Sequence, residues 1–406
     1  MNNNWKKQVT LFLSSQAVSL FGSSLVQFAI VWYVTKETSS GFWVSMLTVC
    51  AYLPQFLISF FAGVWADRHS KKCMIIAADA SIAFTTFVLV MLLPYVHGST
   101  YKDTLLLSLL LLASALRSVG TGIQTPAVSA MIPELVPEQQ YMRVNGINAT
   151  IQSVVQFAAP AAAGLVLTFY TLRITLMIDI VTAIIGISLF GLVTLPKKDS
   201  TTKKEKNSLF GEMRMGIQYA NSVSYLKNLL ILNGFFIFLC VPAGFLAALY
   251  VSRTYGDSYA YLTTVELVGF AGMTAGGILM GTWGGFKSRL KTLVVGMLLF
   301  GVLAMGMGVA ESFILYLILM FIYGIALTMV QTSTTTMLQE KTKPEMQGRI
   351  FGFFGAIYSA FLPIGMVVFG PLSDIVSMRY IMVFSGIALI VLGVVTKEKM
   401  KLVKEI

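Results

Sequence analysis

The sequence predicts an all-α integral membrane protein with twelve transmembrane helices in two pseudo-symmetric six-helix bundles. Three observations predict it. Apolar residues make up 56% of the 406 residues, charged residues only 12%, and mean hydropathy is +0.78; a soluble domain carries about 25% charged residues. The apolar residues gather into about twelve runs, each near the ~20 residues needed to cross a bilayer. A short loop rich in glycine and basic residues occurs twice, after the second run and after the eighth.

In chain order the expected spans are 9–34, 41–66, 73–95, 104–126, 147–170, 173–195, 226–252, 262–283, 292–310, 313–338, 350–372 and 379–396. The first is too long for a cleaved signal and lacks a small-residue cleavage site, so it reads as a span. The longer runs imply tilt or emergence from the bilayer. Between the sixth and seventh spans lies a polar stretch from Lys197 to Asn228. Its LFGEMRMGIQYANSVSYL segment reads as an amphipathic helix lying on the inner leaflet. The domain expectation is therefore a first half at 1–196, a cytoplasmic linker at 197–225 and a second half at 226–406.

The formal net charge of +11 is distributed for topology. With the N-terminus inside, 23 of the 29 Lys and Arg residues fall on inner segments, 5 on outer ones, and Arg117 lies within a span. Inner loops rich in Lys and Arg set orientation, and an even number of spans puts both termini in the cytoplasm. Such charge attracts anionic headgroups and is no nucleic-acid footprint. The setting expected is the bacterial cytoplasmic (inner) membrane.

Several chemistries are excluded. Cys50, Cys73 and Cys240 have no paired spacing, which removes a disulfide framework or a cysteine metal site. His69 and His97 fall on opposite sides of the membrane, so they form neither a zinc pair nor part of a triad. Neither GxxxxGK[ST] nor HExxH occurs. The chain is expected to be no enzyme, to need no cofactor or metal beyond the proton gradient as energy source, and to bind no nucleotide or nucleic acid.

The loop repeat has a partner. GVWADRHSKK (Gly63 to Lys72) aligns with GTWGGFKSRLK (Gly281 to Lys291), matching Gly63 with Gly281, Trp65 with Trp283 and Ser70 with Ser288. PEQQYMRVNG before the fifth span likewise matches PEMQGRIFG before the eleventh. Two matches at corresponding places indicate a duplicated half. Repeats related by an axis along the membrane normal are a transporter architecture.

These residues carry a family resemblance. GxxxDRxxKK resembles the signature loop of the major facilitator superfamily, with Trp65 where that pattern has Leu and Ser70 where it has Gly. Arg117 in LRSVGTG resembles the superfamily's mid-membrane arginine motif. AAPAAAGL resembles its antiporter motif, of which Pro160 and Gly164 remain. Within the superfamily the chain is most similar to bacterial macrolide-efflux transporters, through NNWK, QAVSL, ADRHSKK, RSVGT…TPA, GGFK and QEKTKPE…GR. The resemblance implies efflux of amphipathic antibiotics, macrolides first, by proton antiport and alternating access, from a monomer in a lipid bilayer. The alternatives are another lipophilic drug (tetracycline, lincosamide), an endogenous lipid or siderophore, and, more distantly, a non-transporting membrane receptor.

Candidate residues follow. Gly63, Asp67, Arg68, Lys71 and Lys72, with Lys287 and Arg289 in the repeat, form an expected inner gate. A carboxylate there suits exposed helix N–H groups, and the cations suit carboxylates across the two halves; orientation alone is the plainer reading. Ionisable groups inside spans are functional by default, so Arg117, Asp179 and Glu266 are the expected proton-coupling set. Arg117 should bond carbonyls or a carboxylate, and Asp179 has the alternative of pairing Arg173 or nearby hydroxyls. Asp79 reads as structural, holding Arg68 or a Lys.

The resemblance implies a cavity lined by spans 1, 4, 5, 7, 10 and 11. Polar stripes at helical spacing fit it: Gln16, Ser19, Ser23 and Gln27; Asn148, Gln152, Gln156 and Pro160; Thr328, Gln331 and Thr335; and Tyr358. Large amphipathic ligands need apolar surface with a few orienting polar groups. Interhelical hydrogen bonding uses the same residue types. Glycines 269, 272, 276, 277, 281, 284 and 285 read as close helix packing rather than a nucleotide loop.

Overall fold

A computed structural model describes residues 5–96, 102–137, 140–194, 218–219 and 221–402. The described residues form thirteen helices and no strand: α1 (Trp5–Thr38), α2 (Gly41–Arg68), α3 (Lys71–Val96), α4 (Lys102–Leu135), α5 (Tyr141–Phe169), α6 (Leu172–Gly191), α7 (Ser224–Cys240), α8 (Ala247–Thr254), α9 (Tyr259–Trp283), α10 (Arg289–Val309), α11 (Phe313–Lys341), α12 (Pro344–Ile375) and α13 (Met378–Leu402). Eleven are long and apolar enough to cross a membrane. Most of the expected linker, including residues 209–217 and 220 of its amphipathic segment, lies outside the described residues.

The seventh span differs from the unbroken helix expected over 226–252. It is built from α7 and α8 with turns over 241–246 between them. Pro242 has no N–H to donate, and Gly244 is a weak helix former. The unwound backbone satisfies part of its own bonding: Gly244 N–H donates to the Cys240 carbonyl at 2.9 Å and Leu246 N–H to Val241 at 3.0 Å. Exposed backbone is not tolerated in hydrocarbon; of the turn residues, 241–243 and 246 are buried, Gly244 is half-buried and Phe245 is exposed.

The chain divides into two compact units, one of residues 1–37 and 46–206, the other of residues 38–45 and 207–406. In the first, α3 packs on α4 and α6; in the second, α10 packs on α11 and α13. Because α3 is the third span and α10 the ninth, the neighbour pattern repeats with the sequence repeat. A core of Val9, Phe12 and Leu13 (α1), Ile75 (α3), Met131 and Ile132 (α4), Val144 (α5) and Phe190 (α6) fills the end of the first unit at which α1 begins. Phe12 and Phe190 meet there with ring centroids 5.6 Å apart.

Close backbone approach organises the second unit. A Cβ on Gly324 of α11 would lie 2.6 Å from the Gly269 carbonyl of α9, and one on Gly276 would lie 2.9 Å from Ile325 Cα. A Cβ on Gly272 would overlap the Phe321 carbonyl. Small residues thus let α9 and α11 touch, as expected for membrane helices. Gly277 and Gly281 face open space, so the packing reading holds for three of these glycines and not for the whole run. Gly284 and Gly285 instead end α9 in left-handed conformations, φ 72° and 79°, which glycine adopts without penalty.

Candidate transport site

The first unit holds a buried polar ladder with two rungs. Ser19 and Ser23 are one turn apart on α1, Asp79 and Thr86 two turns apart on α3, and Arg117 and Gln124 two turns apart on α4. Since α4 runs opposite to α1 and α3, Arg117 meets Ser23 and Thr86, while Gln124 meets Ser19 and Asp79.

In the first rung, Arg117 pairs with Asp179 of α6 through one guanidinium nitrogen, which also donates to the Thr86 hydroxyl. Its other terminal nitrogen donates to the Ser23 carbonyl at 3.3 Å. Thr86 Oγ1 donates to Asp179 Oδ2 at 2.8 Å, and Ser23 Oγ to Oδ1 at 3.3 Å. Side-chain exposure is 6% for Arg117 and 1% for Asp179. An unpaired guanidinium at this depth is costly, and the carboxylate removes that cost. Arg117 thus uses both partner types expected for it. Asp179 takes Arg117, with two hydroxyls, rather than Arg173.

The second rung is built on Asp79. Asp79 is 4% exposed and accepts at Oδ1 from Ser19 Oγ at 2.6 Å and from Gln124 Nε2 at 2.7 Å. No Lys is among its hydrogen-bond or ion-pair partners in the described residues, and the side chain of Arg68 lies outside them. The α1 stripe is engaged in the ladder at Ser19 and Ser23, while Gln16 is buried with its Nε2 unpartnered and Gln27 is half-buried.

The repeated loops place cations within each unit. Lys71 Nζ lies 2.6 Å from Glu134 at the end of α4. Lys72 Nζ caps the end of α6, donating to the Gly191 and Val193 carbonyls at 2.8 and 2.6 Å. These two lysines therefore bond inside the first unit, which corrects their expected pairing with carboxylates of the other half: the nearer acceptors at the ends of α4 and α6 take them. Arg289 does the equivalent at the start of α10, with Glu340 at 3.4 Å and the Gly284 carbonyl at 2.9 Å. Lys71–Glu134 and Arg289–Glu340 are the same pair made twice. Lys287 is exposed. Gly63, Asp67 and Arg68 fall on α2, with side chains outside the described residues.

Glu134 and Glu340 escaped the sequence reading, although each lies just before one of the matched PExQ segments. Asp374 also escaped it. At the end of α12 it accepts from the Gly41 and Phe42 N–H groups at 2.7 and 2.9 Å, from Ser40 Oγ at 2.9 Å, and from Arg253 at 2.5 Å. The carboxylate so caps the N-terminus of α2, where anions are favoured. Arg253 also donates to the carbonyls of Ser373 at 2.6 Å and Ser39, holding Ser39 at φ 46°. Beside this cluster opens a cavity of about 710 Å³ whose lining includes Arg253, Asp374, Arg379 and Tyr380.

Glu266 is half-buried on α9, within electrostatic reach of Tyr316, whose buried hydroxyl is unpartnered among the described residues. Of the other stripes, Gln152 and Gln156 on α5 and Gln331 on α11 are exposed, as is Tyr358 at 36%. Asn148 is half-buried and Pro160 buried. Thr328 is turned into the helix contact, donating to the Met273 and Gly324 carbonyls at 3.1 Å each. No group of His, Cys, Asp and Glu residues that could hold a metal occurs among the described residues.

The sequence profile of the Major Facilitator Superfamily matches residues 12–361, and again residues 231–398. The chain belongs to the Major Facilitator Superfamily. Superfamily membership makes it a multi-pass membrane transporter and not an enzyme. Macrolide efflux protein A of Streptococcus pyogenes is 28% identical over 395 residues, covering 97% of this chain and 96% of the relative. The protein of that name from Enterococcus faecalis is 27% identical over 322 residues, 79% of this chain and 98% of its own. Staphyloferrin A transporter of Staphylococcus aureus is 23% identical over 210 residues, 51% and 50% of the two chains. Solved structures agree on the fold: the peptide transporter PepTSo gives a TM-score of 0.72 at 10% identity, covering 98% of both chains. A bacterial homologue of the lysosomal transporter Spinster gives 0.69 at 13%, covering 98% of this chain and 96% of its own.

Proposed function

We propose that this transporter exports amphipathic antibiotics, macrolides first, across the bacterial cytoplasmic membrane in exchange for protons, with both termini in the cytoplasm. The observation that carries the reading is the similarity to Macrolide efflux protein A of Streptococcus pyogenes, at 28% identity through 97% of the chain. The inner-loop charge excess supports the orientation.

The drug path is assigned in the first unit to the exposed amides of Gln152 and Gln156 with Asn148, and in the second unit to Gln331 and Tyr358. Uncompensated amides facing hydrocarbon are costly, so these faces suit a hydrated path. A large amphipathic ligand takes apolar contact along such a path and a few orienting hydrogen bonds. Arg117, Asp179 and Glu266 are the coupling groups: Glu266 binds and releases protons as the transporter alternates access, and Arg117 holds Asp179 in register. Gly63, Asp67, Arg68, Lys71, Lys72, Lys287 and Arg289 order the inner rim. The protein works as a monomer in lipid, with no cofactor, nucleotide or nucleic acid.

The test is accumulation of radiolabelled erythromycin in a drug-sensitive bacterium expressing the chain. Lower accumulation that a protonophore abolishes is expected; unchanged accumulation refutes macrolide export. The partial similarity to the Staphyloferrin A transporter favours a second reading, siderophore export, which the same cells would reveal as siderophore released to the medium.

A further inference from the structure

We infer that Asp79 is a proton-binding carboxyl of this transporter, with Ser19 and Gln124 as the groups that position it. The inference rests on the proton-antiport reading above and adds a proton-binding group in the first unit.

The ladder contains two acids and one base. Arg117 is committed to Asp179, Thr86 and the Ser23 carbonyl. The charge on Asp179 is thereby balanced, and it is the worse placed of the two acids to take up a proton. Asp79 is also buried but, among the described residues, is held by neutral donors only, the Ser19 hydroxyl and the Gln124 amide, both on Oδ1. Around it, α6 presents Asp179, α4 presents Arg117, and α1 offers hydroxyls and amides at this level. A buried carboxylate without a cation is expensive in a bilayer, and neutralisation by a proton removes the cost. Oδ2, which takes neither described donor, is the atom left to bind it.

The surroundings suit repeated loading. Ser19 lies on the α1 stripe, and one turn further toward the inner end Gln16 offers a buried, unpartnered amide. Polar groups therefore continue from Asp79 toward the end of the unit that carries Lys71 and Glu134. In the loading step an O–H bond forms at Oδ2 with a proton from the aqueous phase. On release that bond breaks and the proton returns to water.

The test uses the full-length protein, purified and reconstituted. Infrared difference spectra across a pH titration should show a protonated-carboxyl C=O band that Asp79→Asn abolishes. Asn keeps an acceptor for Ser19 and Gln124, so this variant should fold. Ser19→Ala removes one donor and should shift the midpoint of the same band, which keeps the test alive should Asp79→Asn not fold. In proteoliposomes, Asp79→Asn should lose pH-gradient-driven erythromycin accumulation yet keep downhill equilibration. A wild-type spectrum preserved in Asp79→Asn, a midpoint indifferent to Ser19→Ala, or gradient-driven transport undiminished in Asp79→Asn would each overturn the inference. Absence of erythromycin transport by the wild type would count against the macrolide reading, and the infrared band alone would then decide Asp79.

Discussion

Replacing Asp179 with Leu isolates what the Arg117 pair contributes. The substitution strands a guanidinium whose side chain is 6% exposed, leaving it the Thr86 hydroxyl and the Ser23 carbonyl. Breaking one side of a buried pair costs about 3–5 kcal/mol. The hydroxyls of Ser23 and Thr86 lose their acceptor too, about 0.6 kcal/mol each by the average for membrane hydrogen bonds. With the lower figure for the ion, the loss is about 4 kcal/mol. Removing both charges with Arg117→Met and Asp179→Leu should recover most of it, because an apolar pair of similar volume carries no desolvation cost. Thermal unfolding in detergent, followed by reaction of the buried Cys240 with a fluorogenic maleimide after surface thiols are blocked, orders the three proteins. Wild type and double variant should unfold at similar temperatures, with Asp179→Leu well below. A double variant no more stable than the single one would refute the claim that an uncompensated charge is the source of the loss.

Two further outcomes follow from geometry. Gly272→Val forces α9 away from the Phe321 backbone and should cost about 1–3 kcal/mol as overpacking, whereas Gly277→Ala, facing open space, should leave the unfolding temperature unchanged. Asp374→Ala removes the acceptor for the first N–H groups of α2 and should cost about 0.5–2 kcal/mol, the usual range for a lost cap; Asp374→Asn should recover part of it in the same thermal assay.

The membrane class and the duplicated halves were legible because both rest on coarse properties: long apolar runs and a loop repeated at corresponding places. Helix packing was legible where glycines recur at 269, 272 and 276. The α7–α8 break was not, since Pro242 interrupts an apolar run without altering its hydropathy. Arg117 and Asp179 each stood out as an ion in a span, but their pairing depends on α3, α4 and α6 being neighbours. The Asp79 contacts with Ser19 and Gln124 were hidden for the same reason. A charge near a basic loop suggests the loop as partner, and only the opposed direction of α4 brings Gln124 to it. Glu134, Glu340 and Asp374 sit at helix ends, where composition makes a carboxylate look like ordinary surface.

The paired contacts at Lys71–Glu134 and Arg289–Glu340 are alike in position yet unequal in shelter. The former has side chains 16% and 22% exposed, the latter 44% and 50%. Dissolved electrolyte damps exposed charges over roughly 8 Å at physiological strength but reaches sheltered ones poorly. Salt therefore acts as a lopsided solvent variable on this molecule, loosening the α10–α11 corner while leaving the α3–α4 corner fastened. A duplicated design has in this way acquired one rim that senses its medium and one that ignores it.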